Sequence, residues 1–189
     1  MMDGRPDHFE ALGLERQLDL EAEELRMRYD ERCREVHPDA GGAAEEFDAV
    51  REAYACLSSP PRRLRHWLEL AGVEVVEGGS LPVPVVDRFG EIGVLLREAE
   101  ELAKRYHSAQ SALGRSVVEA EGIALQARLA EVRGGVEGAI EELVALFASY
   151  DESGPLAMGE EAVETARALV FLEKWEGQLR AAWAQAGCW

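Results

Sequence analysis

Glu35-Val36-His37-Pro38-Asp39-Ala40-Gly41-Gly42 lies between two stretches with helical patterning. Before it, Leu20, Leu25, Tyr29, Cys33 and Val36 recur mostly at steps of three and four. After it, Phe47, Val50, Ala53, Tyr54 and Leu57 do the same. Pro38 cannot continue a helix and biases His37 away from helical angles. The tripeptide His37-Pro38-Asp39 therefore reads as an exposed loop that holds an imidazole and a carboxylate on a rigid turn. Such a loop invites a partner from outside the chain.

Working outward, a short first helix holds Phe9 and Leu12 and ends near Gly13. Asp19 is placed to cap a second helix that runs to Val36, and a third spans Ala43 to Leu57. Ser58-Ser59-Pro60-Pro61 stops the third helix and opens a fourth, carrying Leu64, Trp67, Leu68 and Leu70 and ending at Gly72. Residues 73–84, with Gly78, Gly79, Pro82 and Pro84, read as a linker. Beyond it come three apolar series. The first is Val85, Phe89, Ile92, Leu96, Ala99, Ala103 and Tyr106. The second is Leu125, Leu129, Val132, Val136, Ile140, Leu143, Phe147 and Tyr150. The third is Ala166, Leu169, Leu172, Trp175, Leu179 and Trp183. Three such stripes satisfy one another as an antiparallel bundle. The first turn of that bundle is expected near Gly114 to Glu121 and the second at Asp151 to Pro155. The expected architecture is all-α, with residues 1–72 as a first domain and residues 85–189 as a three-helix bundle.

The net charge of −17 is shared by both halves. Phosphate affinity requires a basic surface, so this balance argues against nucleic acid as a partner. No apolar run approaches the length of a membrane span, and the N-terminus has neither a signal core nor an Arg-rich leader. Three cysteines without metal-ligand spacing fit a reduced, cytoplasmic compartment. Cys33 and His37 are four apart, but two ligands do not make a zinc site, and Cys33 reads as a small buried residue. A Cys33 or Cys56 nucleophile lacks an orienting group. No Gly-x-x-x-x-Gly-Lys loop offers a nucleotide site, so neither enzyme activity nor a cofactor is expected. His8, His66 and His107 read as surface or helix-flank residues, and Trp67, Trp175 and Trp183 as core.

Phe9-Glu10-Ala11-Leu12-Gly13-Leu14, the polar second helix, His37-Pro38-Asp39 and the ending Ala53-Tyr54-x-x-Leu57 together resemble a J-domain. The stretch Ser59-Pro60-Pro61-Arg62-Arg63 to Leu68-Glu69-Leu70-Ala71-Gly72 is similar to the helix that closes the J-domain in iron–sulfur co-chaperones of the HscB type. Arg167-Ala168-Leu169-Val170-Phe171-Leu172-Glu173-Lys174-Trp175 resembles a segment near that family's C-terminal end.

The resemblance implies a co-chaperone that docks on a DnaK/HscA-type heat-shock chaperone, accelerates its ATP hydrolysis and presents an iron–sulfur scaffold protein. It implies that Asp39 pairs with a chaperone arginine, that His37 bonds at the interface and that Pro38 fixes both. Arg28 and Arg34 match sparse basic positions of the docking helix, and Arg26 and Arg32 add to them. It further implies that Phe171, with Val85, Val86 and Phe89, meets the scaffold. Several positions depart from the family. Asp30, Glu31 and Glu35 fall where basic residues are common, Arg32 takes a place usually apolar, and Gly90 and Gly93 stand where glutamates are expected, with Glu91 and Glu98 nearby. Two alternatives stay open: a J-domain co-chaperone with a different client, and a helical adaptor with a degenerate J-domain.

Overall fold

The computed structural model describes residues 6–37, 43–75 and 82–187. They form eight helices: α1 (His8–Ala11), α2 (Ala22–Glu35), α3 (Ala44–Leu57), α4 (Pro60–Leu70), α5 (Val83–Ser108), α6 (Ala112–Val144), α7 (Phe147–Ser153) and α8 (Gly159–Ala186). No strand occurs among the described residues, so the all-α expectation holds. The chain divides into two compact units: Met1–Gly78 with Val144–Ala166, and Gly79–Leu143 with Arg167–Trp189.

In the first unit α1, α2 and α4 all pack on α3. Helices this short do not persist alone in water, so their stability comes from the face they bury. That face supplies Phe9, Leu12, Leu25, Val50, Ala53, Leu57, Leu64, Trp67 and Leu68. Both α1 and α4 end in glycine-dependent Schellman turns. Gly72 sits at φ +78° and donates to the Glu69 carbonyl, while Val73 donates to Leu68. Gly13, at φ +66°, does the same after α1, with Leu14 donating to Phe9. A side chain at either position would be strained, and glycine is not.

In the second unit α5, α6 and the latter part of α8 enclose one core of Val85, Ile92, Leu95, Ala99, Leu102, Leu125, Leu129, Val136, Leu172, Trp175 and Leu179. Arg128 pairs with Glu98 and, nearer the turn, Arg105 pairs with Glu121 in two hydrogen bonds. The shrinking sequence separation shows that α5 and α6 run antiparallel.

Four expectations change. The first long turn lies at 109–111, not Gly114 to Glu121, because α6 begins at Ala112. The second stripe is not one helix: α6 stops at Val144, and Phe147 and Tyr150 lie on α7, buried in the first unit. The turn expected at Asp151 to Pro155 moves on, because α7 continues to Ser153 and Gly154 ends it at φ +83°. Trp183 is 40% exposed and lies outside the core. Gly134 and Gly135 sit within α6, and their Cβ positions face open space.

The division into 1–72 and 85–189 thus differs from these units, since the first also takes in Val144–Ala166. Phe147 is fully buried beneath the Arg63 guanidinium, which lies 5.5 Å from its ring centre. Tyr150 is also fully buried, and its hydroxyl lies 2.9 Å from Thr165 Oγ1. Phe147→Ala should lower the stability of this unit by about 3–5 kcal/mol in urea unfolding, the usual cost of truncating a buried phenylalanine. A loss below about 1 kcal/mol would mean that α7 merely rests on the surface.

Candidate functional site

The site is built on α2, which presents one face to α3 and the other to solvent. Leu25 is buried and Tyr29 stacks on Tyr54 of α3, ring centres 4.3 Å apart. Arg32 occupies its apolar-looking position by a specific contact. Its Nε donates to the Ala11 carbonyl at 3.2 Å, and its guanidinium pairs with Glu35. The aliphatic stem thus packs while the head caps α1. Val36 is buried and donates to the Arg32 carbonyl, which closes the helix. His37 follows, exposed, with its ring edge toward Phe47 of α3 at 5.5 Å. Pro38 and Asp39 lie outside the described residues.

The basic candidates on α2 are not bare. Arg26 lies 3.5 Å from Asp30 and Arg28 lies 3.6 Å from Glu31, both within one helical turn. Asp30 and the Tyr54 phenol raise the Arg26 pKa further above its ordinary range. Arg34 is exposed near the C-terminal end of α2, where a cation complements the helix dipole. Met27, between Arg26 and Arg28, is 57% exposed and joins this solvent face.

The bundle candidates divide. Val85 is fully buried in the second unit's core, which removes it from any docking surface. Val86 and Phe89 face solvent, at 53% and 58% exposure, and lie one turn apart. Phe171 is partly buried against the same core. Phe89 and Phe171 flank the Trp175 ring at centre distances of 6.0 and 6.3 Å, forming one aromatic surface. Glu98, a possible stand-in for a missing acidic contact, is engaged by Arg128 at 2.5 Å.

Other sequence candidates fall away. Burial pushes the Cys56 thiol up to about 11, and its sulfur lies 3.7 Å from the Arg62 carbonyl, so it stays protonated. Cys33 is half-buried, less enclosed than expected. No group of three or more His, Cys, Asp or Glu among the described residues is placed to hold a metal ion. No described helix is long and apolar enough to cross a membrane.

Residues 7–66 match the DnaJ domain. The chain carries a J-domain. Its fold extends the likeness to both units. The chaperone HscB from Vibrio cholerae superposes with a TM-score of 0.58 over 93% of this chain and 96% of its own, at 17% identity. Human co-chaperone protein HscB superposes with a TM-score of 0.55 over 95% of this chain and 83% of its own, at 20% identity. At these identities the likeness is one of fold, and it takes in the bundle as well as the J-domain.

Sequence reasoning missed a histidine pair inside the J-domain. His66 is 8% exposed on α4, and its Nε2 accepts the backbone N–H of His8 at 3.1 Å. The two rings lie 4.4 Å apart. Burial lowers the pKa of both below the ordinary 6.5, and at His66 the neighbouring His8 adds to the effect. Asp7, 3.9 Å from His66, works against this. Its own side chain caps α1 by accepting from Phe9 and Glu10, and Arg16 donates to it at 2.6 Å. The only signal in the sequence was the i−1 position of His66 to Trp67 on an apolar helix.

A histidine held neutral in the fold takes up its proton more readily when unfolded, so stability is full above about pH 6.5 and is lost as pH falls below it. Urea midpoints measured from about pH 8 to about pH 5 should therefore decline, and His66→Gln, which keeps an acceptor for His8, should flatten the decline. Equal slopes in the two proteins would exclude His66 as its source.

Proposed function

We propose that this protein is a co-chaperone that stimulates the ATPase of a DnaK/HscA-type heat-shock chaperone and presents an iron–sulfur scaffold protein to it. The observation that carries the reading is the joining, in one chain, of a DnaJ domain to a helical bundle of the HscB fold along nearly the whole length. It acts on another protein's active site and supplies no catalytic group or cofactor of its own.

In this reading Asp39 forms a charge-assisted contact with an arginine of the chaperone, and His37 bonds beside it. Pro38 restricts the loop before docking and so lowers the entropy lost on binding. Arg26, Arg28 and Arg34 contribute favourable charge from α2. Arg26 and Arg28 exchange an exposed intrahelical carboxylate for a partner group, a change with little net gain because such pairs are weak in water. The scaffold contact falls to Phe171, Phe89 and Val86, the members of the expected set that lie at the surface.

A second reading retains the J-domain activity and gives the bundle a different client. Gly90 and Gly93 favour it, since they leave the exposed aromatic surface without the acidic neighbours the family resemblance implies.

ATP hydrolysis by a DnaK-type chaperone should rise on addition of the unmutated chain, and Asp39→Asn should abolish the rise. No stimulation by the unmutated chain would sink both readings in favour of a helical adaptor. For the bundle, Phe89→Ala combined with Phe171→Ala should weaken capture of an iron–sulfur scaffold by about tenfold or more, as loss of central aromatic anchors does. Capture of the scaffold by neither form would leave the second reading standing.

A further inference from the structure

We propose that Asp151 is a positioning residue for the J-domain: its carboxylate holds the segment before α2 and thereby sets the helix that faces the chaperone. The part that concerns chaperone docking rests on the function proposed above. One oxygen of Asp151 lies 2.8 Å from the backbone nitrogen of Leu18. The other accepts from Leu18 and Asp19, each at 2.9 Å. These donors lie more than 130 residues away in sequence and come from a stretch that is neither helix nor strand.

Three features make this contact more than a surface bond. Leu18 is fully buried, so its N–H needs a partner inside the protein. The sequence-expected cap at Asp19 does not form. α2 starts at Ala22, its N-cap residue is Glu21, and no side-chain hydrogen bond caps it. The entry of α2 is thus fixed by tertiary contact rather than by its own sequence. Asp151 itself is firmly seated, because Phe147 lies beneath Arg63 of α4 and Tyr150 bonds to Thr165 of α8. Arg63 is buried, which lowers the pKa of its guanidinium, and the Asp19 and Asp151 charges oppose that shift. The Asp151 carboxylate on α7 thus meets two backbone donors of the loop before α2, and its charge is felt at the buried Arg63 of α4.

A charged acceptor serving two backbone donors in a partly buried place is among the stronger hydrogen-bonding arrangements a protein makes. Its removal frees the α1–α2 connection and loosens the first turn of α2, where Leu25 donates to the Glu21 carbonyl. The J-domain of this chain is therefore not complete within residues 7–66.

The test uses the full chain carrying Asp151→Ala, Asp151→Asn or, as a control one residue on, Glu152→Ala. Amide hydrogen exchange should quicken by about tenfold or more at Leu18, Asp19 and Leu25 in Asp151→Ala, while amides of the second unit keep their rates. Asp151→Asn, which retains one acceptor oxygen, should fall between, and Glu152→Ala should match the unmutated chain. In chaperone ATPase titrations at a temperature where circular dichroism shows each variant folded, the half-maximal concentration of Asp151→Ala should rise by about fivefold with the maximal rate unchanged. Unchanged exchange at Leu18 and Leu25 would overturn the proposal, as would a titration that superposes on the unmutated one while those amides open. Should Asp151→Ala fail to fold, Asp151→Asn decides by the same two readings. If the unmutated chain stimulates no chaperone, the proposed function falls, and exchange at Leu25 alone decides whether Asp151 sets α2.

Discussion

The first unit depends on α3. It is the common partner of α1, α2 and α4, and none of these has the length to hold its conformation unaided. A four-residue α1 exists because Asp7 satisfies two of its free N–H groups and because Phe9 is buried completely. The solvent face of α2 exists because its other face is fixed to α3 through Tyr29 on Tyr54. His37 reaches its position at the end of α2 with its ring against Phe47, also on α3. The described end of the His37-Pro38-Asp39 segment, at His37, is thus referred to α3.

How far the sequence could be read follows from this. Periodicity located α3 and α4 almost to the residue, because proline, glycine and a strong apolar face coincide there. It failed wherever one stripe served two partners. The series from Leu125 to Tyr150 keeps helical spacing across Ala145 and Leu146, yet α6 buries Leu129 and Val136 in one core and α7 buries Phe147 and Tyr150 in another. Spacing carries no information about which neighbour a face meets. Val85 and Phe89 show the same limit at finer scale. One helical turn separates them, but the first lies in the core and the second in solvent, because the buried stripe of α5 continues through Ile92 and Leu95 rather than through Phe89. His66 and Arg63 were illegible for a different reason: one is buried against the His8 N–H and the other over the Phe147 ring, partners far away in sequence, and residue type alone argues for exposure.

The charge pattern of α2 follows from its exposure. Among its 14 residues, five are acidic and four are arginine, and three intrahelical ion pairs link them. A helix neutralised along its own surface has a weak long-range field, so electrostatic steering of a partner is small. What this face offers at short range is the exposed Met27 beside its paired charges.

The aromatic surface of the second unit has the opposite character. Trp175 is 7% exposed and supplies a firm floor, while Phe89 stands 58% exposed above it. A large apolar side chain left in water beside a packed indole raises the free energy of the isolated protein, and a partner that covers it removes that penalty. Phe171 is constrained by the core on one side, so it presents only part of its ring and little side-chain freedom remains to be lost on binding. Phe89 therefore supplies apolar area and Phe171 supplies order, and Val86 extends the area by one helical turn. Of the acidic candidates on α5, Glu98 is already engaged by Arg128.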